Sequence, residues 1–238
     1  MNIQNKKHYA IGFKRGLPIA IGYLPVSFTF GLTAVSGGLP VWLAIMISLT
    51  NVTSAGQFAG TNLIIAGAGY FEITLTTFII NIRYMLMSLS ISQKIESKTT
   101  LIQRLIFAFG ITDETFTVAS MEEGRLTYRY MLGLITGPIL GWTLGTALGA
   151  LICSSLPQNL SDAMGIALYG MFIAIIIPPA RKSKKVVVVL VVSVAITCIL
   201  RYVPGLSAIS SGFRVIIATI LAAGICAKVY PMDEGGVA

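Results

Sequence analysis

The chain has 238 residues and a net charge of +8; 55% of its residues are hydrophobic, only 11% are charged, and its mean hydropathy is +0.83. A soluble domain carries about 25% charged residues, so a soluble enzyme and a disordered chain are both excluded. The basic residues sit in short clusters between apolar runs, with no arginine-rich arm interleaved with aromatics, so the positive charge does not point to nucleic acid.

From the amino end, residues 1–15 form a polar segment carrying Lys6, Lys7, Lys14 and Arg15. Residues 16–230 read as a single membrane domain and 231–238 as a short tail. The basic start superficially resembles a signal peptide. The apolar run behind it is too long, contains Pro18 and Pro25, and is followed by more spans, so the first span is expected to be retained. Apolar stretches fall at 16–36, 41–66, 70–93, 105–121, 130–153, 161–180, 186–203 and 212–229. The predicted fold class is all-α: a polytopic transmembrane bundle of seven to eight hydrophobic segments, some re-entrant or broken.

Gly16 to Phe71 holds no Asp, Glu, Lys or Arg over 56 residues. As one helix it would run roughly 84 Å against a bilayer core of about 30 Å, so it crosses or enters the membrane more than once. Pro18, Gly22 and Pro25 are candidate helix breaks in the first span, either a plain kink or a discontinuity lining a site. Thr53-Ser54-Ala55-Gly56-Gln57-Phe58 is an island of small and polar residues inside the second. Ser54 is placed to cap a half-helix starting near Ala55, whose free N–H groups suit a carboxylate. The alternative for these residues is hydrogen bonding between helices.

Orientation follows from the basic loops. Lys and Arg concentrate on the cytoplasmic side, which places the N-terminus, Arg125/Arg129 and Arg181–Lys185 inside, with the turns at Pro157-Gln158-Asn159 and Pro204-Gly205 outside. If 41–66 crosses fully, Lys94, Lys98 and Arg104 land outside. If it enters and returns as two half-helices, they move inside, and 105–121 is then re-entrant as well. Broken helices at membrane depth point to a substrate path.

Charges within apolar runs are the candidates for chemistry. Glu72, Thr76 and Arg83 share one face of the third span, with Asn81 beside Arg83. Arg83 either snorkels to an interface or meets a carboxylate. Asp113 and Glu114, after Thr112, are adjacent carboxylates in an apolar setting. They suit proton exchange or the holding of a substrate ammonium, the alternative being simple caps of a helix start. Glu72 is a third candidate for proton coupling, and Asp162 is expected to cap the next span. Gly133, Gly137, Gly141, Gly145 and Gly149 form a ladder at four-residue spacing, a signature of close helix packing.

No cofactor or metal is expected. Cys153, Cys198 and Cys226 are far apart and the only histidine is His8, too few for a zinc site. A nucleophile–base arrangement, G-x-S-x-G, a P-loop and a dinucleotide motif are all missing from the sequence, so an enzyme is not expected.

Gly16-Leu-Pro18 with Gly22 and Pro25, Ser54-Ala-Gly-Gln-Phe58, Asn81-Ile-Arg83, Thr112-Asp-Glu114, and Gly170-Met-Phe172 with Pro178 together resemble the large subunit of the AzlC (YgaZ/BrnF) family. The resemblance implies a carrier of the bacterial inner membrane, driven by the proton gradient, that exports leucine, isoleucine, valine and sometimes methionine. It also implies a small hydrophobic partner of the AzlD (YgaH/BrnE) type. It supplies no site residues. Those rest on the reading above: Ser54 to Gln57 or Arg83 for the substrate carboxylate, Asp113 or Glu114 for its ammonium, and Phe58, Phe116 and Phe172 for its aliphatic tail. A passive channel and a membrane scaffold or assembly subunit are the other classes that fit.

Overall fold

Helix accounts for most of the computed structural model, which describes residues 3–153 and 183–230 with a few positions between them. The predicted segment 161–180, the Pro157-Gln158-Asn159 turn, Asp162, Gly170-Met171-Phe172, Pro178 and the 231–238 tail lie outside the described residues. Among the described residues the helices are α1 (Ile3–Ser36), α2 (Val41–Thr50), α3 (Ala55–Ile65), α4 (Tyr70–Lys94), α5 (Leu101–Ala108), α6 (Asp113–Met121), α7 (Tyr128–Ile152), α8 (Lys184–Tyr202) and α9 (Ser211–Val229). Five of them, α1, α4, α7, α8 and α9, are long and apolar enough to cross a bilayer. The chain is therefore a polytopic helical bundle.

Its backbone is the parallel pair α1 and α7. A Cβ on Gly133 would strike the Tyr9 carbonyl, one on Gly141 would lie 2.5 Å from the Ala20 carbonyl oxygen, and one on Gly149 would strike the Phe28 carbonyl. Gly145 meets the Leu24 carbonyl, and Gly137 lies against Gly16. The contact is reciprocal, since Gly12, Gly16 and Gly31 of α1 press on the carbonyls of Tyr130, Leu134 and Thr146. A four-residue repeat exceeds the 3.6 residues of a helical turn, so both stripes precess in step and the helices wrap with a right-handed sense. This packing carries α1 straight through its prolines. The breaks expected at Pro18, Gly22 and Pro25 do not occur: the helix is continuous from Ile3 to Ser36. Each proline removes one N–H donor from a 34-residue helix that is held along its length by α7.

Residues 41–66 enter the bundle and return. α2 descends from the Ser36 end of α1, the chain turns at 51–54, and α3 climbs back until Ile65 packs against Gly37. α4 then crosses to the opposite end, where Leu126 N–H donates to the Lys94 carbonyl at 2.9 Å. From there α5 enters and α6 returns, so that the Lys94 ammonium donates to the Ser120 carbonyl at 2.7 Å and also to the Glu122 carbonyl. The two hairpins thus enter from opposite ends. The Lys94, Lys98 and Arg104 loop lies at the same end as the N-terminus, which resolves the topology in favour of the re-entrant alternative. Lys185 and Lys228 join that end through the α8–α9 hairpin, where Lys185 Nζ sits 5.7 Å from the Tyr230 ring centroid.

Opposed hairpins make a direct prediction. In a protein lacking its native cysteines, Ala66→Cys and Ser97→Cys are expected to react with a membrane-impermeant thiol reagent from opposite faces only. Labelling of both from one face would overturn the arrangement.

Candidate functional site

The two hairpin tips meet midway along the α1–α7 pair, over a cavity of about 910 Å³ whose lining includes Gly22, Tyr23, Ser54, Arg83, Asp113 and Glu114. Each tip begins a half-helix, α3 at Ala55 and α6 at Asp113, so two positive dipole ends converge on the centre. The α6 start is fully capped: Thr112 Oγ1 accepts from Thr115 N–H, and Thr115 Oγ1 accepts from Thr112 N–H at 2.8 Å. The α3 start is not. It begins near Ala55 as expected, but Ser54 makes no side-chain cap, because its backbone holds φ +48° where a cap needs an extended conformation. A non-glycine residue held at such a φ costs on the order of 1–3 kcal/mol.

Ionic and hydroxyl groups tie the tips to the crossing helices. Arg83 Nη1 of α4 lies 2.8 Å from Asp113 Oδ2, both side chains being roughly half-exposed to the cavity. Arg83 Nη2 donates to Tyr84 Oη, which in turn donates to the Thr53 carbonyl, each at 3.2 Å. Tyr23 Oη of α1 is hydrogen-bonded to Thr112 Oγ1 at 2.7 Å and to a Glu114 carboxylate oxygen. Among the described residues, one guanidinium therefore faces two carboxylates, leaving the centre one negative charge in excess. An ammonium group or a proton would supply the missing charge.

Of the residues proposed from the sequence, Ser54, Arg83, Thr112, Asp113 and Glu114 line this cavity, as do Pro18 and Gly22. Gly56, Gln57, Phe58 and Asn81 do not. Gln57 is 1% exposed and belongs to a buried polar chain: Trp142 Nε1 donates to Gln57 Oε1 at 2.9 Å, Gln57 Nε2 donates to Ser48 Oγ at 2.6 Å, and Ser48 meets Thr146 at 2.7 Å. That chain moors the first hairpin to α7. Phe58 stacks edge-on against Phe30 at 5.1 Å in a buried cluster, which places it away from any aliphatic substrate tail. Phe116 packs against the Ile91–Leu126 cluster instead. Gly56 lets α3 approach the Asn81 amide, and Gln57 and Asn81 border a separate cavity of about 530 Å³.

Glu72 stands apart from Asp113 and Glu114. Its Oε1 accepts from Gly212 N–H at 3.0 Å and from the Ser210 hydroxyl, at the start of α9. It lies eleven residues from Arg83, about 16 Å along α4. Sequence reasoning missed Tyr23, Tyr84 and Trp142. Lone aromatics in apolar spans carry no pattern, and the Tyr23–Trp142 edge contact at 5.2 Å joins two distant helices.

The mooring chain gives a testable magnitude. Gln57→Leu leaves the Trp142 N–H and the Ser48 hydroxyl short of a buried partner each, which costs about 2–4 kcal/mol in all. Thermal unfolding of the purified protein in detergent is expected to show the loss. An unchanged transition would mean that the hairpin is held elsewhere.

The family model for AzlC protein matches residues 18–156, which contains both hairpins, α7 and α1 from Pro18 onward. The chain is 28% identical over 184 residues to the inner membrane protein YgaZ of Escherichia coli K12, covering 74% of this chain and 75% of that one. It is 32% identical over 176 residues to an uncharacterized membrane protein of Archaeoglobus fulgidus, covering 70% and 75%. A Helicobacter pylori membrane protein is 23% identical over 182 residues, 75% of this chain and 78% of its own. No solved structure matches the chain.

Proposed function

This chain belongs to the AzlC family of membrane proteins, and we propose that it is a proton-driven secondary transporter exporting branched-chain amino acids. The observation that carries the reading is the pair of hairpin tips around the cavity, with Arg83, Asp113 and Glu114 at mid-bundle. An amino acid zwitterion complements that arrangement. Its carboxylate would meet Arg83 or the uncapped N–H groups of α3 beside Ser54, and its ammonium would meet Asp113. Val52, Ile79 and Ile80 on the cavity wall offer apolar surface to an aliphatic tail. Such a tail is worth about 0.8 kcal/mol per buried methylene, which favours leucine, isoleucine, valine and methionine over alanine.

The membrane is the bacterial inner membrane, and the N-terminus is cytoplasmic because the basic clusters gather at that end. The partner is a small hydrophobic subunit of the AzlD type. Cells loaded with labelled leucine, valine and methionine test the proposal. With chain and partner expressed, efflux should rise at least about tenfold and fall to background on adding an uncoupler. Efflux that ignores the uncoupler would indicate a passive channel, and no efflux at all would indicate a scaffold.

A further inference from the structure

The two carboxylates at the α6 tip have unlike surroundings. Asp113 faces a guanidinium at 2.8 Å. Glu114 meets a hydroxyl group instead: a carboxylate oxygen accepts from Tyr23 Oη, and Tyr23 is only 9% exposed. Among the described residues, the titratable and charged groups near Glu114 are Tyr23 of α1, Arg83 and Tyr84 of α4, and Asp113 of α6. The cavity lining contributed by the first hairpin and α7 carries no charge, only side chains such as Ser54 and Trp142. Arg83 is already matched by Asp113, so the unmatched negative charge at mid-bundle belongs to Glu114.

We infer that Glu114 is the side chain that carries the coupling proton, that Asp113 stays a fixed anion, and that Tyr23 positions the Glu114 carboxyl. The inference rests on the transport reading above. A hydronium ion reaching the cavity from one face gives its proton to a Glu114 oxygen and leaves water behind. That new O–H bond breaks when water on the other face accepts the proton, and no electron changes hands. Tyr23 can hold the carboxyl in both states, because a phenol both donates and accepts. It donates to the carboxylate. When Glu114 is protonated, the phenol oxygen accepts a hydrogen bond from the acid and its own O–H donates a hydrogen bond to Thr112 Oγ1, 2.7 Å away. A neutral carboxylic acid is also far cheaper than an anion in a site closed to water.

The test uses the full chain, alone and co-expressed with the small subunit, in liposomes. One readout is exchange of labelled leucine without a gradient. The second is leucine movement driven by a pH step, with a trapped pH dye reporting protons. Glu114→Gln should exchange leucine at a rate lowered no more than about tenfold, while dye-reported proton entry falls at least about a hundredfold. Asp113→Asn should lose both. Tyr23→Phe should keep both and shift the pH midpoint of driven transport by about one unit.

Proton entry that persists in Glu114→Gln overturns the assignment, as does coupling lost in Asp113→Asn with exchange intact. If Glu114→Gln fails to insert, Glu114→Asp decides. Its displaced carboxyl should move the pH midpoint of coupling, and an unmoved midpoint overturns the proposal. A wild-type protein that exchanges leucine but admits no protons overturns this inference alone. One that moves no amino acid overturns the transport reading as well.

Discussion

Asp113→Asn and Arg83→Gln are each expected to lower leucine export at least about a hundredfold, and the Arg83→Gln/Asp113→Asn double variant to be equally inactive yet more stable than either single variant. Each single change removes one partner of the 2.8 Å ion pair: Arg83→Gln leaves Asp113 beside Glu114 with no cation in contact, and Asp113→Asn leaves the Arg83 guanidinium without its contacting carboxylate. A lone charge at the centre of a membrane helix costs roughly 2.5–3.5 kcal/mol on insertion scales. Here the side chains are about half-exposed to a water-accessible cavity, so roughly 1–2 kcal/mol is the appropriate expectation after screening. Removing both charges eliminates that penalty, and the double variant should recover most of it. Function does not recover, because a zwitterion needs both a cation and an anion to replace its hydration. Melting in detergent and efflux from loaded cells provide the two axes. A single variant that exports within about threefold of wild type would remove the pair from the transport path. A double variant no more stable than the singles would mean that water already screens the pair completely.

The same residues mark how far the sequence could be read. The break at Thr53–Gln57 was legible because small polar residues interrupt an otherwise apolar run, and the Asp113–Glu114 tip because carboxylates are rare there. Both hairpins followed from those two signals and the basic loops. The glycine ladder was legible on α7 alone. Its partner positions on α1 are Tyr9, Gly16, Ala20, Leu24 and Phe28, and at Tyr9, Ala20, Leu24 and Phe28 backbone carbonyls receive the glycines. Periodicity cannot reveal a partner made of backbone. The prolines misled for a related reason: their local cost is real, but a long interhelical contact holds the helix along its length. Gln57 and Phe58 looked like ligand groups because polarity and aromaticity inside a membrane segment do not distinguish a wall from a mooring. The hydrogen bonds with Trp142 and Ser48 make Gln57 structural.

The ladder yields the largest expected loss of stability, and it is graded by position. At Gly149 a Cβ would strike the Phe28 carbonyl, and at Gly133 the Tyr9 carbonyl. Backbone cannot swing aside as a side chain can, so a methyl there must push α1 and α7 apart. Because one register runs the length of the pair, parting it at one rung strains the neighbouring rungs. Gly149→Ala is therefore expected to cost about 2–4 kcal/mol, at or beyond the usual range for overpacking, and Gly149→Leu to leave little folded protein. Gly137 sits in the same ladder but has its nearest atom, the Gly16 carbonyl oxygen, at 3.5 Å, which is ordinary van der Waals contact. Gly137→Ala should be close to neutral. At Gly22, on the cavity face of α1, nothing lies within 4 Å. Gly22→Ala should stabilise the helix by up to about 1 kcal/mol through propensity alone. Thermal unfolding in detergent ranks the three, and the order Gly22→Ala, Gly137→Ala, Gly149→Ala from most to least stable is the expected result. If Gly149→Ala melts with the wild type, the two helices are not in backbone contact, and the rigid frame on which both hairpin tips are positioned would have to be sought elsewhere.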